Sequence, residues 1–139
     1  MDREEVFDLL TLVGLRLSAA TTRGCAAMGL TETEARVISC VAVSGATRPG
    51  AVGADLGLSP RHMTQLADSL DAKGHIVREV DPTDARARIL RLTPSGVSLV
   101  KQIDALRDAW ARDLLDDVSA KDLSTLAMSL TAILKRLTG

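Results

Sequence analysis

Apolar residues recur every three to four positions from the start of the chain, with Phe7, Leu10, Val13 and Leu17 on one stripe that Val6, Leu9 and Leu12 widen. That period predicts a helix over residues 2–27 whose apolar face is too broad for one neighbour to cover. Thr31-Glu32-Thr33-Glu34 then reads as a capping box, the threonine hydroxyl accepting the Glu34 amide while the glutamate reaches back. A second helix therefore runs to about Ser44. Gly45-Ala46-Thr47 breaks the pattern, and Pro49 suits a first helical position. A short helix over 49–56 follows, weakened by Gly50 and Gly53 and ended by Gly57. Leu58-Ser59-Pro60 restarts the chain with an N-cap serine and a first-turn proline, and this helix reaches Lys73 before Gly74 closes it. Two short helices joined by a tight turn make a helix-turn-helix.

From His75 the pattern changes to β-type residues, Ile76, Val77 and Val80, followed by the turn Asp81-Pro82-Thr83-Asp84 and then Ile89, Leu90 and Leu92. A hairpin thus follows the second helix of the pair directly, as a wing. Thr93-Pro94 opens a long helix with Val97, Val100, Ile103, Leu106, Trp110 and Leu114 on one stripe. Ser119 with Asp122 opens the last helix, where Leu123, Leu126, Leu130, Ile133 and Leu137 recur to the C-terminus. The expected fold is mainly α with a small β-hairpin wing, in one domain over residues 1–139: a winged helix-turn-helix lobe at 31–92, and outer helices at 1–27 and 94–139.

At 100° per residue, Met63, Leu66, Ala67 and Leu70 share one side of the helix after Ser59, while Arg61, His62, Thr64, Gln65, Asp68 and Ser69 fill the other. The polar side begins with donors suited to a major groove: Arg61 for guanine or phosphate, Gln65 for adenine, Thr64 and Ser59 for phosphate or a thymine methyl, and His62 as a further contact. Any surface helix has a polar face, so the hairpin decides more. Arg86 and Arg88 follow its turn, where an arginine on a narrow ribbon can enter a minor groove, and Asp84 is placed to hold such a side chain by a charge-assisted hydrogen bond.

Asp81-Pro82-Thr83-Asp84-Ala85-Arg86 and then Leu90-Arg91-Leu92-Thr93-Pro94-Ser95-Gly96 resemble the signature of the MarR family of transcriptional regulators. The resemblance extends to Leu58-Ser59, to Leu70-Asp71-Ala72-Lys73-Gly74, to Arg78 and to the order of six helices. It implies a dimer whose terminal helices intertwine, whose recognition helices enter successive major grooves and whose wing arginines enter the flanking minor grooves. By that pattern Arg86 is the minor-groove residue and Asp84 its support. Ala85 and Gln65 stand where the family often carries basic residues, which implies lower phosphate affinity and an altered base preference. The family also implies a small-molecule effector in a cleft near the first, second and fifth helices, here aliphatic.

Composition narrows the alternatives. Hydrophobic residues are 46% of the chain and charged residues 25%, with one Phe, one Trp and no Tyr, so aliphatic helix packing has to build the interior. A net charge of −1 gives no overall attraction to nucleic acid and makes local charge placement decisive. That charge, with Ala85 and Gln65, leaves one alternative open: a winged-helix protein-interaction module without DNA binding. The apolar stripes of the outer helices, Phe7 and Leu10 in the first and Leu123, Leu126, Leu130, Ile133 and Leu137 in the last, are the expected dimerisation surface that would match a roughly palindromic operator in double-stranded DNA. Cys40, beside Val37, Ile38 and Val41, reads as a small buried hydrophobe. Cys25 follows Arg23 near a helix end, where a cation could lower its pKa and make it a redox sensor. His75 reads as a strand-start residue. Neither histidine has companion ligands at metal spacing, and no nucleophile–base pair or phosphate-binding glycine loop occurs, so no catalytic residue, metal or cofactor is assigned and the chain is not expected to be an enzyme. The opening Met-Asp-Arg-Glu-Glu is unlike a signal peptide and no run is apolar enough for a membrane, so the expected location is cytoplasmic.

Overall fold

Side-chain caps set where most of the helices begin in the computed structural model, which describes residues 1–139. Helix α1 (Arg3–Ala27) starts on an Asp2–Glu5 capping box and α2 (Glu32–Ser44) on the Thr31–Glu34 box. Helix α3 (Pro49–Leu56) takes proline in its first turn, as does α4 (Pro60–Ala72), where Ser59 Oγ also accepts the His62 amide at 3.1 Å. Helix α5 (Pro94–Leu115) follows Thr93, whose hydroxyl accepts the Gly96 amide at 3.1 Å, and α6 (Ala120–Thr138) is capped by Ser119 on the Asp122 amide at 3.1 Å.

The sheet has one strand more than expected. The break at 45–47 contains β1 (Ala46–Thr47), which pairs antiparallel with β3 (Asp84–Leu92), and β3 pairs on its other side with β2 (Ile76–Asp81). Ala46 and Thr47 face Arg91 and Leu90, so the loop after α2 is drawn into the root of the wing. A two-residue strand has no alternation to read, which is why the sequence pattern passes over it.

By internal contact the chain forms two units, Met1–Asp104 and Ala105–Gly139, with α5 running across the boundary. The core lies in the first. Val37, Ile38 and Val41 of α2 meet Val52 of α3 and Met63 and Leu70 of α4, with Ile76 and Leu90 of the sheet beneath and Leu99 of α5 closing the cluster. Gly53 explains itself here: a Cβ at this position would stand 3.3 Å from the Leu58 carbonyl oxygen and 3.7 Å from the Met63 side chain, so the last turn of α3 can approach the start of α4 closely. Gly57 then caps α3 at φ +68°, a left-handed conformation that turns the chain into α4. In the second unit α6 buries none of its residues. No helix is long and apolar enough to cross a membrane.

Candidate nucleic-acid interface

Helix α4 is fixed to the core by one face and leaves the other to solvent. Met63, Leu66, Ala67 and Leu70 are buried, while Arg61, His62, Thr64 and Gln65 are all exposed, which is the division expected from the helical period. The Ser59 oxygen is occupied as the cap acceptor, leaving its O–H as a donor, and the Thr64 hydroxyl donates to the Pro60 carbonyl at 2.9 Å. The side chains of Arg61, His62 and Gln65 hold no such bond.

The far end of α4 is held by a buried carboxylate. Glu34 caps α2, accepts the Ser69 hydroxyl at 2.9 Å and takes the Lys73 ammonium at 2.9 Å on both oxygens, while the same ammonium donates to the Gly29 carbonyl at 3.0 Å. Burial alone would push the Glu34 carboxyl up, but the hydrogen bonds from Lys73, the Thr31 amide and Ser69, with the Lys73 charge, outweigh it and hold the group below the ordinary glutamate value. From the sheet, Arg78 pairs with Asp68 and lies 3.8 Å from Asp71. Neither Arg78 nor Lys73 could be assigned these partners from sequence, because the Lys73 contact spans 39 residues and nothing local marks it.

At the wing the two carboxylates of the turn are used from both sides. Asp81 Oδ1 accepts the Thr83 amide at 2.8 Å and its hydroxyl at 2.7 Å, and Oδ2 takes Arg48 Nε at 2.8 Å. Those hydrogen bonds from Thr83, then that of Arg48, bring the Asp81 carboxyl down to about 2. Asp84 corrects one expectation: its Oδ1 accepts the backbone amide of Arg86 at 3.0 Å, not the guanidinium, because the tight turn brings that N–H onto the carboxylate, and its Oδ2 lies 3.9 Å from Arg48 Nη2. The Arg86 side chain is exposed without an acidic partner, and Arg88 lies back along the hairpin on the carbonyls of Ala85 and Ala87 at 3.4 and 3.2 Å.

Charge placement over residues 58–92 follows from these contacts. Asp68, Asp71, Glu79, Asp81 and Asp84 each lie within 3.9 Å of a basic side chain, namely Arg78, Arg91 or Arg48. Arg61, Arg86 and Arg88 have no acid. This stretch therefore spends its negative charge internally and leaves three arginines without an acid, although the whole chain is slightly acidic.

The remaining candidates separate. Cys25 is buried, and its thiol is pushed up by burial and then by Glu32, with Arg36 opposing weakly, so the expectation of a lowered pKa from a neighbouring cation is corrected. Cys40 is half-buried with Sγ 3.9 Å from Asp55 Oδ2, and burial followed by that carboxylate raises its thiol too. His75 Nδ1 lies 2.8 Å from Ser95 Oγ, between the end of α4 and the start of β2. No cluster of His, Cys, Asp and Glu could hold a metal. Phe7 is 66% exposed, Leu126 and Leu130 42% and Leu137 79%, Leu123 is also exposed, and Leu10 and Ile133 are half-buried.

No family model matches the chain. Among curated proteins it is 29% identical over 98 residues to an uncharacterised HTH-type transcriptional regulator of Mycobacterium leprae, covering 70% of this chain and 68% of that one. It is 26% identical over 108 residues to the multiple antibiotic resistance protein MarR of Salmonella typhimurium, covering 77% and 75%. Among solved structures, Streptococcus pneumoniae FabT in complex with DNA superposes with a TM-score of 0.89 at 20% identity over 99% of this chain and 98% of that one.

Proposed function

We infer that this chain, MarR-like in sequence and in fold, is a transcriptional regulator that binds double-stranded DNA as a homodimer. In this reading it is a ligand- or stress-responsive repressor acting in the cytoplasm on a pseudo-palindromic operator. The observation that carries it is the charge placement of the lobe: every acid between residues 58 and 92 is paired, and Arg61, Arg86 and Arg88 are not. Exposed Arg61, His62, Thr64 and Gln65 would read base edges from α4 with Ser59 on phosphate, while Arg86 would enter the minor groove, with Arg88 beside it. Asp84 supports Arg86 by fixing its backbone. Burial and the raised pKa of Cys25 favour a small molecule over thiol oxidation as the releasing signal.

Dimerisation would use the exposed apolar stripes of α1 and α6, and a twofold axis would present two copies of α4 to successive turns of a duplex. The test begins with duplexes selected from a random pool. Affinity for a selected duplex should fall steeply as salt rises, since each neutralised phosphate releases counterions. Arg86→Ala should cost roughly 1–3 kcal/mol of binding by fluorescence anisotropy. Selection of no sequence, or affinity indifferent to salt, overturns DNA binding in favour of a protein-interaction module.

A further inference from the structure

Resting on that DNA-binding reading, we propose that Arg48 is a positioning residue for the wing: it ties the hairpin turn to the start of α3 and offsets part of the negative charge of Asp81 and Asp84, the two carboxylates of that turn. No local feature of the sequence points to it. Arg48 is the residue before α3 and follows β1 directly, yet its side chain makes no cap to its own helix. Instead its guanidinium crosses 33 residues of sequence to the wing, with Nε 2.8 Å from Asp81 and Nη2 3.9 Å from Asp84.

The two carboxylates show the same division of labour. In each, one oxygen shapes the turn from inside, Asp81 on the amide and hydroxyl of Thr83 and Asp84 on the amide of Arg86, while the other faces Arg48. Arg48 is thus the one side chain outside the hairpin that engages both. A planar guanidinium can serve two carboxylates at once, whereas a lysine ammonium is a point charge with less directional reach. The charge consequence is direct. A wing carrying two unscreened carboxylates into a groove would meet the negative potential that is meant to draw Arg86 in, so removing Arg48 both loosens the turn and opposes the approach.

Four proteins test this: the unaltered chain, Arg48→Ala, Arg86→Ala and the double variant, with Arg48→Lys as a fifth. Amide hydrogen exchange without DNA should show Thr83 and Arg86 exchanging faster in Arg48→Ala, with α2 and α4 amides unchanged. Affinity for a selected duplex should fall roughly tenfold in Arg48→Ala. Lysine should restore only part of it. In the double variant the two losses should be less than additive, because Arg48 acts through the placement of Arg86. Full additivity would mark Arg48 as an independent phosphate contact, and it overturns the proposal, as do unchanged affinity and unchanged exchange at Thr83 and Arg86. Arg48→Gln replaces the alanine variant if circular dichroism shows that the latter does not fold. If the unaltered chain selects no duplex, DNA binding fails while the exchange measurement still judges the tie.

Discussion

A Cβ built at Gly96 would collide with the His75 carbonyl oxygen and press on Leu92 at 3.3 Å, so the start of α5 can lie against the residue that opens the hairpin only without a side chain there. The same carbonyl accepts the Thr93 amide at 3.1 Å and cannot move away freely. Gly96→Ala should therefore lower unfolding stability by roughly 1–3 kcal/mol, the range for overpacking, measured by urea denaturation. Glu34 is the other residue on which the lobe turns. Its carboxyl is held below its ordinary value of 4.5, so its contribution is complete above that pH and is lost as pH falls through the lowered folded-state value. Glu34→Gln should cost about 1–3 kcal/mol at pH 7, and the gap between variant and unaltered protein should narrow as unfolding is followed below pH 4.5. A constant gap across that range would remove the ion pair with Lys73 from the account.

Elements that announce themselves by local chemistry were readable from the chain. Thr31 with Glu34, Ser59 with Pro60 and Ser119 with Asp122 mark three helix starts, and each hydroxyl accepts the amide expected of it. The hairpin likewise follows from Ile76, Val77 and Val80 and the Asp-Pro-Thr-Asp turn, realised as β2 and β3 with Asp81 opposite Asp84. What was not readable depends on partners far along the chain: β1 exists because of Leu90 and Arg91, and Arg48 and Lys73 matter through carboxylates 33 and 39 residues away. Gly53 looked like a weakness in α3 and is the condition for its close approach to Leu58. Along α4, the exposed side of the candidate site came from periodicity alone, whereas the role of Asp84 depended on which N–H the turn delivers to it. The cap of α4 offers an element-scale check. Ser59→Ala should destabilise the fold by roughly 1 kcal/mol in thermal or urea unfolding, because the His62 amide loses its acceptor.

At the scale of the molecule, the outer helices carry more apolar surface than either unit covers. Val6, Phe7, Leu9, Leu12, Val13, Leu15 and Leu17 of α1 are between 41% and 66% exposed, and α6 has no buried residue at all. Long helices in water rely on a covered face for most of their stability, and exposed patches of this extent mark association sites. The chain should sediment at twice its own mass at micromolar concentration. Leu130→Glu or Phe7→Glu should shift it toward the mass of one chain and weaken operator binding together. A single-chain mass for the unaltered protein would leave these stripes without a role and would undercut the proposed pairing of two α4 helices.

Burial of one thiol and half-burial of the other gives the protein two built-in clocks. An aromatic disulfide reagent reaches Cys25 only when the core of the first unit opens, so its labelling rate meters that opening, whereas Cys40 should be modified far sooner. Any compound that tightens the lobe would then reveal itself by slowing the slower clock, with no dye or tag attached.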